Sequence, residues 1–217
     1  MAKRVLDISL SLTAILGLSP AYILLAGAIK LTSKGPVLFR QERAGRCGRP
    51  FMLYKFRTMR TDADPFGPSP RSGEDPRLTP IGKFLREHSL DELPQLWNVL
   101  KGDMSLVGPR PLYVAQMAEW DQRQRRRLEV TPGLTGLAQI AGRGELTREE
   151  KLELDVQYVE TATAWLDLKI LVATVGLVLG HKAIYERQYS QTEKTRGGAS
   201  ASPAPCPQVT PPSPQYR

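Results

Sequence analysis

Two adjacent carboxylates, Asp91 and Glu92, stand at the start of a segment in which leucines recur at helical spacing: Leu93, Leu96 and Leu100. This pattern predicts a helix with one buried face. Pro94 fits only the first turn of such a helix, so the helix should begin between Ser89 and Asp91. A Ser89 cap with Glu92 would form a capping box, and capping is therefore one interpretation of the acids. Phosphate chemistry is the other, because arginines flank the segment on both sides in sequence.

Basic residues near these acids are arranged to meet an anion. Arg110 lies between two prolines, whose fixed φ angles leave it little entropy to lose on binding a phosphate. Residues 51–59 alternate as a strand does, which would place Lys55 and Arg57 on one face and the aromatic residues on the other. A solvated strand face is the alternative interpretation of that segment.

Four segments carry these residues in a fixed order: Lys55-Phe56-Arg57-Thr58-Met59, Ser89-Leu90-Asp91-Glu92-Leu93-Pro94-Gln95, Gly108-Pro109-Arg110-Pro111 and Pro132-Gly133-Leu134-Thr135-Gly136-Leu137-Ala138-Gln139. Together they resemble the successive motifs of the bacterial sugar transferases, the monotopic phosphoglycosyl transferases. The resemblance extends over residues 3–185. It departs from the family at Ala141, where a polar residue usually precedes Gly142-Arg143, so the contacts around Arg143 stay open.

The resemblance implies that Asp91 forms a covalent phosphosugar intermediate. It also implies that Glu92 assists through a metal or the acceptor, and that the acceptor is a polyprenyl phosphate. An ionised carboxylate can attack phosphorus without a general base, and a nucleoside monophosphate leaves without a strong general acid. Mg²⁺ held by Asp91 and the donor phosphates would reduce the repulsion between like charges.

We therefore expect transfer of a sugar 1-phosphate from a nucleoside diphosphate sugar, in the first place a UDP-sugar, to undecaprenyl phosphate, as an initiating step of membrane-linked glycan synthesis. The expected phosphate and nucleotide contacts are Lys55, Arg57, Arg86, Arg110 and Arg143, with Asp155 orienting a cation or a lysine. The identity of the sugar and the oligomeric state stay open, a homodimer being one option.

A different class of function is a non-catalytic, membrane-tethered binder of anionic polymer or nucleic acid. It would use the arginines of residues 123–127. The net charge of +8 calls for an anionic partner but does not choose among lipid headgroups, phosphate substrates and nucleic acid. This alternative does not explain the carboxylate pair, and we expect no nucleic-acid partner.

The N-terminal residues 5–29 are mostly apolar and long enough to cross a bilayer. Ser19-Pro20 interrupts them at the middle, where proline breaks a helix. Basic residues flank both ends, which predicts that both ends lie on the cytoplasmic side. A re-entrant hairpin satisfies both observations, while a true span and a cleaved signal peptide are the alternatives. Asp7 should then lie near the lipid headgroups.

The predicted fold is α+β and mostly helical, with an N-terminal re-entrant membrane hairpin, a small strand region and interfacial amphipathic helices. Three parts are expected: the hairpin at 1–34, a cytoplasmic catalytic domain with interfacial helices at 35–190, and a disordered tail at 191–217 rich in Pro, Ser, Thr and Gly. Within the second part we predict a surface loop at 61–80, a charged helix at 117–129, an amphipathic helix at 149–159 and an apolar helix at 165–184. The expected location is the cytoplasmic face of the bacterial inner membrane.

Overall fold

A computed structural model of the chain describes residues 2–180, and helix is its main secondary structure. The α-helices are α1 (Ala2–Gly17), α2 (Ser19–Thr32), α3 (Pro80–Glu87), α4 (Gln95–Lys101), α5 (Gln122–Arg125), α6 (Leu137–Ala141), α7 (Arg148–Thr161) and α8 (Ala164–Gly180). The strands are β1 (Leu38–Ala44), β2 (Pro50–Phe56), β3 (Ser105–Val107) and β4 (Gly133–Thr135). Short 3₁₀ turns lie at Arg46–Gly48, Leu90–Glu92, Val114–Glu119, Arg126–Glu129 and Arg143–Glu145. The predicted α+β, mostly helical class is confirmed.

The N-terminal helices α1 and α2 form a pair bent by 62°. The predicted break is confirmed, because α1 ends at Gly17 and Pro20 lies in the first turn of α2, where its missing N–H is not needed. The Ser19 hydroxyl donates to the Leu16 carbonyl at 2.8 Å across the break. In the part of the chain described, no single helix is long and apolar enough to cross a membrane. Taken together, the two bent helices are long and apolar enough to cross a membrane, judged by length and composition only.

Asp7 faces the protein interior, and its expected depth near the lipid headgroups stays a prediction. It is 6% exposed, and its Oδ1 accepts a hydrogen bond of 3.1 Å from the Leu106 N–H. The reason is the pairing of β3 with β4. The parallel register joins Ser105 to Gly133 and Val107 to Thr135, which leaves the intervening Leu106 N–H directed away from β4. Asp7 supplies the acceptor that a further strand would otherwise provide.

Two small sheets and one main core position the rest of the chain. β1 and β2 form an antiparallel hairpin, and β3 and β4 form a parallel pair. Asn98 of α4 joins that helix to β2, since its Oδ1 accepts from the Tyr54 N–H at 3.1 Å and its Nδ2 donates to the Met52 carbonyl at 2.7 Å. The core between α4, β2, β3, α7 and α8 is built from Leu53, Leu96, Val99, Met104, Leu106, Val107, Tyr158 and Ile170.

Two predicted helices differ in the structure. α4 begins at Gln95, and the residues before it form the 3₁₀ turn Leu90–Glu92. Ser89 is left-handed with φ of 55° and makes no side-chain cap, so the predicted capping box is wrong. Residues 117–129 are not one helix, because Asp121 and Gln124 form a capping box that starts the short α5 after a first 3₁₀ turn.

The other predicted elements agree with the structure. Residues 61–79 form a loop. An isolated β-bridge joins Met59, just before this loop, to Leu78 near its end. The helix predicted at 149–159 is α7, which begins with a capping box between Thr147 and Glu150. The helix predicted at 165–184 is α8 as far as Gly180. Its predicted end and the predicted tail at 191–217 lie outside the described residues.

Candidate active site

Asp91 and Glu92 lie on the 3₁₀ turn between α3 and α4. Asp91 is only 6% exposed. The turn is fixed at its far end by Tyr22 of α2, whose hydroxyl donates to the Leu93 carbonyl at 2.6 Å. The two acids therefore lie on a turn that helix α2 contacts directly.

The two carboxylates differ in environment, although they are adjacent. Glu92 meets the Arg110 guanidinium through both oxygens, one to Nη2 and the other to Nη1 at 3.4 Å. Burial opposes ionisation of Glu92, but the charge and the hydrogen bond of Arg110 prevail and lower its pKa. For Asp91, burial and the charge of Glu92 raise the pKa to about 6. Arg86 and Arg110 act on Asp91 through their charge, and this opposes the rise in its pKa. Its carboxylate is thus less engaged than that of Glu92, which suits it better for attack on an electrophile.

Lys55 of β2 contributes a cation to this site. Burial, followed by repulsion from Arg86, lowers its pKa to about 8, and the charge of Asp91 acts in the opposite direction. Lys55 is therefore still charged at neutral pH. A desolvated ammonium interacts more strongly with a phosphate than an exposed one, because little water screens it.

Arg86 and Arg143 complete the basic environment of the acids. Arg86 lies in the last turn of α3, acts on Asp91 through its charge, and has a buried Nη1 with no hydrogen-bond partner among the described residues. Arg143 has a positive φ of 47°, and burial lowers its pKa while the charge of Glu92 acts against that change. The structure thus brings Lys55, Arg86, Arg110 and Arg143 together around Asp91 and Glu92. Their contact with phosphate stays a prediction.

Arg57 lies on the wall of the cavity that contains the two acids but is held by other partners, and its predicted phosphate contact stays a prediction. β2 ends at Phe56, so the alternation that would place Lys55 and Arg57 on one face stops there. The Arg57 side chain is buried and donates to the Ser33 carbonyl at 3.0 Å, to the Ser33 hydroxyl at 2.7 Å and to the Lys34 carbonyl. Arg57 fixes the segment that follows α2.

Asp155 lies on α7. It was expected to orient a cation or a lysine, and in the structure its partner is Arg127. Its Oδ2 accepts from Arg127 Nη2 at 2.6 Å and Nε at 3.1 Å, with both side chains almost fully buried. Arg127 Nη2 also donates to the Arg110 carbonyl at 2.5 Å. Asp155 therefore lines the same cavity and also acts on the Arg110 backbone through Arg127. Nothing in the sequence separates Arg127 from the exposed arginines beside it.

The neighbouring arginines bind acids of the same chain. Arg123 pairs with Glu153 at 2.6 Å and with Glu160 at 3.2 Å. Arg126 pairs with Glu160 at 2.5 Å and with Glu129 at 3.3 Å. Because these guanidinium groups already have carboxylate partners, the cluster does not favour the alternative of a polymer or nucleic-acid binder.

One cavity of about 2100 Å³ contains the acids. At one side it is lined by apolar residues of α1 and α8, among them Leu10, Ala14, Leu171 and Val175. At another it is lined by the aromatic residues Phe66 and Tyr113. The site thus joins a charged centre to an apolar wall formed by the N-terminal and C-terminal helices.

Residues 1–181 match the family described as bacterial sugar transferase. The chain belongs to the bacterial sugar transferase family. The family predicted from the four motifs is confirmed, and this sugar transferase is therefore an enzyme of sugar-phosphate transfer.

Three relatives illustrate the match. The protein named uncharacterized sugar transferase EpsL of Bacillus subtilis is 42% identical over 200 residues, covering 92% of this chain and 98% of EpsL. The UDP-glucose:undecaprenyl-phosphate glucose-1-phosphate transferase of Escherichia coli is 43% identical over 193 residues, covering 85% of this chain and 42% of that protein. The exopolysaccharide production protein ExoY of Sinorhizobium fredii is 34% identical over 200 residues, covering 85% of this chain and 88% of ExoY. This sugar transferase thus spans nearly the whole of EpsL but less than half of the Escherichia coli relative.

Proposed function

We propose that this sugar transferase moves a sugar 1-phosphate from a UDP-sugar to undecaprenyl phosphate through a covalent intermediate on Asp91. The single observation that carries the mechanism is the contrast between the two acids. Asp91 is buried and has no arginine hydrogen bond from the described residues, while Arg110 binds both oxygens of Glu92. The names of similar proteins support the substrates, since several are glucose-1-phosphate transferases for UDP-glucose and undecaprenyl phosphate.

The reaction consists of two displacements at one phosphorus atom. An Asp91 oxygen attacks the phosphorus that carries the sugar, the bond to the bridging oxygen breaks, and UMP leaves with the electron pair. An oxygen of undecaprenyl phosphate then attacks the same phosphorus, and the Asp91 carboxylate departs. Lys55, Arg86, Arg110 and Arg143 stabilise the charge on the phosphoryl oxygens in both steps. Neither step requires a proton from the protein.

The residues at the site suit Mg²⁺ as the cofactor. Among residues 2–180, no group of three or more His, Cys, Asp or Glu side chains could hold a metal ion. Mg²⁺ commonly takes one or two carboxylates together with substrate phosphates, and Asp91 supplies one carboxylate beside the expected diphosphate. When bound there, Mg²⁺ supplies charge neutralisation between carboxylate and diphosphate.

The N-terminal helices support a location at the membrane. We propose that α1 and α2 enter the cytoplasmic leaflet as a re-entrant hairpin, which their bend and their apolar composition favour. Exposed apolar side chains on α1, α2 and α8 include Leu6, Leu16, Ile23, Leu24, Val172 and Val175. The apolar wall of the cavity belongs to α1 and α8, so a polyprenyl chain can approach the acids from the lipid side.

The test is mass spectrometry of the intact protein after mixing with Mg²⁺ and UDP-sugar in the absence of lipid. A covalent mechanism releases at most one equivalent of UMP and adds one sugar phosphate to the protein. Asp91→Asn should abolish the adduct without unfolding, whereas Asp62→Asn, at an exposed carboxylate paired with Arg60, should keep it. Full turnover with lipid but no adduct under acid quench would contradict the covalent mechanism.

A further inference from the structure

An aromatic pair with a stacked arginine lies in the same cavity as the acids but takes no part in the steps above. The Phe66 and Tyr113 ring centroids are 6.1 Å apart, with planes inclined by 49°. The Arg43 guanidinium carbon lies 3.7 Å from the Tyr113 ring centroid. Phe66 is 75% exposed although it belongs to the cavity wall.

A buried glutamine holds this arrangement in place. Gln41 of β1 is 5% exposed, and its Nε2 donates to the Pro65 carbonyl at 2.7 Å. Its Oε1 accepts from Arg43 Nη2 at 2.6 Å. One side chain therefore positions both the loop residue before Phe66 and the arginine that covers Tyr113. The backbone beside Phe66 and the guanidinium that covers Tyr113 are thus held in place before a ligand arrives, which reduces the entropy lost on binding.

The aromatic pair lies within reach of the phosphate site. Tyr113 follows Arg110 in an extended segment, and chain geometry limits the separation of their Cα atoms to about 10 Å. Lys55 is close enough to both Asp91 and Arg43 for each charge to act on it. Acid, cations and aromatic rings therefore line one cavity, and a nucleoside diphosphate sugar likewise carries sugar phosphate, diphosphate bridge and base in one molecule.

We propose that Phe66, Tyr113 and Arg43 form the subsite for the uracil ring of the donor, with Gln41 as its positioning residue. This inference rests on the proposed function, which supplies the nucleotide. A uracil ring offers a flat π-face, and aromatic side chains and guanidinium planes are the groups on which single bases stack. The Arg43 charge acts on Lys55, which the proposed function places at the phosphates of the nucleotide.

The experiment is calorimetric titration of the full chain in lipid nanodiscs with Mg²⁺, using UMP and ribose 5-phosphate as probes. Both carry the phosphate and the ribose, but only UMP carries the base. Phe66→Leu and Tyr113→Leu should each weaken UMP binding about tenfold and leave ribose 5-phosphate binding unchanged. Tyr113→Phe should bind UMP as the wild type does, because it keeps the ring. Trp97→Leu is the matched control, since it removes an exposed aromatic side chain outside the cavity and should change neither affinity.

Several results would overturn the subsite. One is UMP affinity that is unchanged in both leucine variants. Another is an equal loss for UMP and ribose 5-phosphate, which would indicate a general disturbance of the site. A third is unchanged UMP affinity with an altered ratio of kcat/KM between UDP-glucose and UDP-galactose, which would assign the rings to the sugar. Because binding of UMP needs no turnover, failure of the wild type to release UMP from a UDP-sugar would count against the proposed function alone.

Discussion

Replacement of Asp155 by alanine should destabilise the fold and impair the donor site through Arg127. Asp155 and Arg127 are 4% and 2% exposed at their side chains, with Nη2 and Oδ2 2.6 Å apart. Asp155→Ala leaves the Arg127 charge buried without its carboxylate. Removing one partner of such a pair typically costs about 3–5 kcal/mol. For a chain of this length that corresponds to a fall in Tm of about 10 °C.

The pair itself is expected to contribute little net stability. Burial raises the pKa of Asp155 in spite of the attraction of Arg127, so desolvation outweighs the charge pairing. A double variant, Asp155→Leu with Arg127→Met, should therefore recover the free energy of unfolding to within about 1 kcal/mol of the wild type. The introduced methionine would also pack on Trp120, whose ring Arg127 now covers at 4.8 Å.

The same double variant should not recover activity. Arg127 donates to the Arg110 carbonyl, and an apolar residue cannot replace that hydrogen bond. With Arg110 less well positioned against Glu92, we expect kcat/KM for the UDP-sugar to fall at least about tenfold while Tm is restored. Thermal unfolding at one scan rate and steady-state kinetics measure the two effects on the same samples. A single variant within about 2 °C of the wild-type Tm, or a double variant with full activity, would refute this reasoning.

Three further predictions concern other parts of the chain. Because the Lys55 ammonium is charged only below its pKa of about 8, kcat/KM for the donor should decline as pH rises through that value, and Lys55→Arg should move the decline to higher pH. Replacing Ser19 and Pro20 by leucine should straighten α1 and α2 into one span and change protease access to an N-terminal tag in inverted vesicles; unchanged access would contradict the re-entrant hairpin. Deleting residues 195–217 should leave turnover and membrane association near those of the full chain, since their composition lacks apolar periodicity, and a large loss would mean that they complete the site.

Local signals in the sequence were sufficient for the elements with one clear determinant. Pro20 predicted the break between α1 and α2, and alternating residues predicted β2. Where two local signals compete, the sequence was misleading. Ser89 and Glu92 have the spacing of a capping box. However, α4 begins only after Pro94, and the left-handed backbone of Ser89 separates α3 from the turn that carries Glu92.

At the site, too, the sequence predicted only those residues whose role depends on their neighbours in the chain. Asp91, Glu92 and Arg110 were predicted from their neighbours in sequence, and the structure brings them together. Arg57 and Arg127 have environments that depend on segments far away in the chain. Arg57 bonds to the backbone of residues 33 and 34, and Arg127 is buried against Asp155. No local pattern specifies either contact, because each depends on tertiary packing.

The hydrogen bonds of the N-terminal helices have a consequence for how the chain matures. Arg4 donates to the carbonyls of Val99 and Leu100, Asp7 accepts from Leu106, and Tyr22 donates to Leu93. Synthesis proceeds from the N-terminus, so α1 and α2 leave the ribosome long before any of these partners has been made. Until then a carboxylate and a guanidinium on α1 lack the groups that satisfy them. These two helices are therefore completed by later segments, so they reach their final arrangement in the same folding step that assembles the catalytic centre.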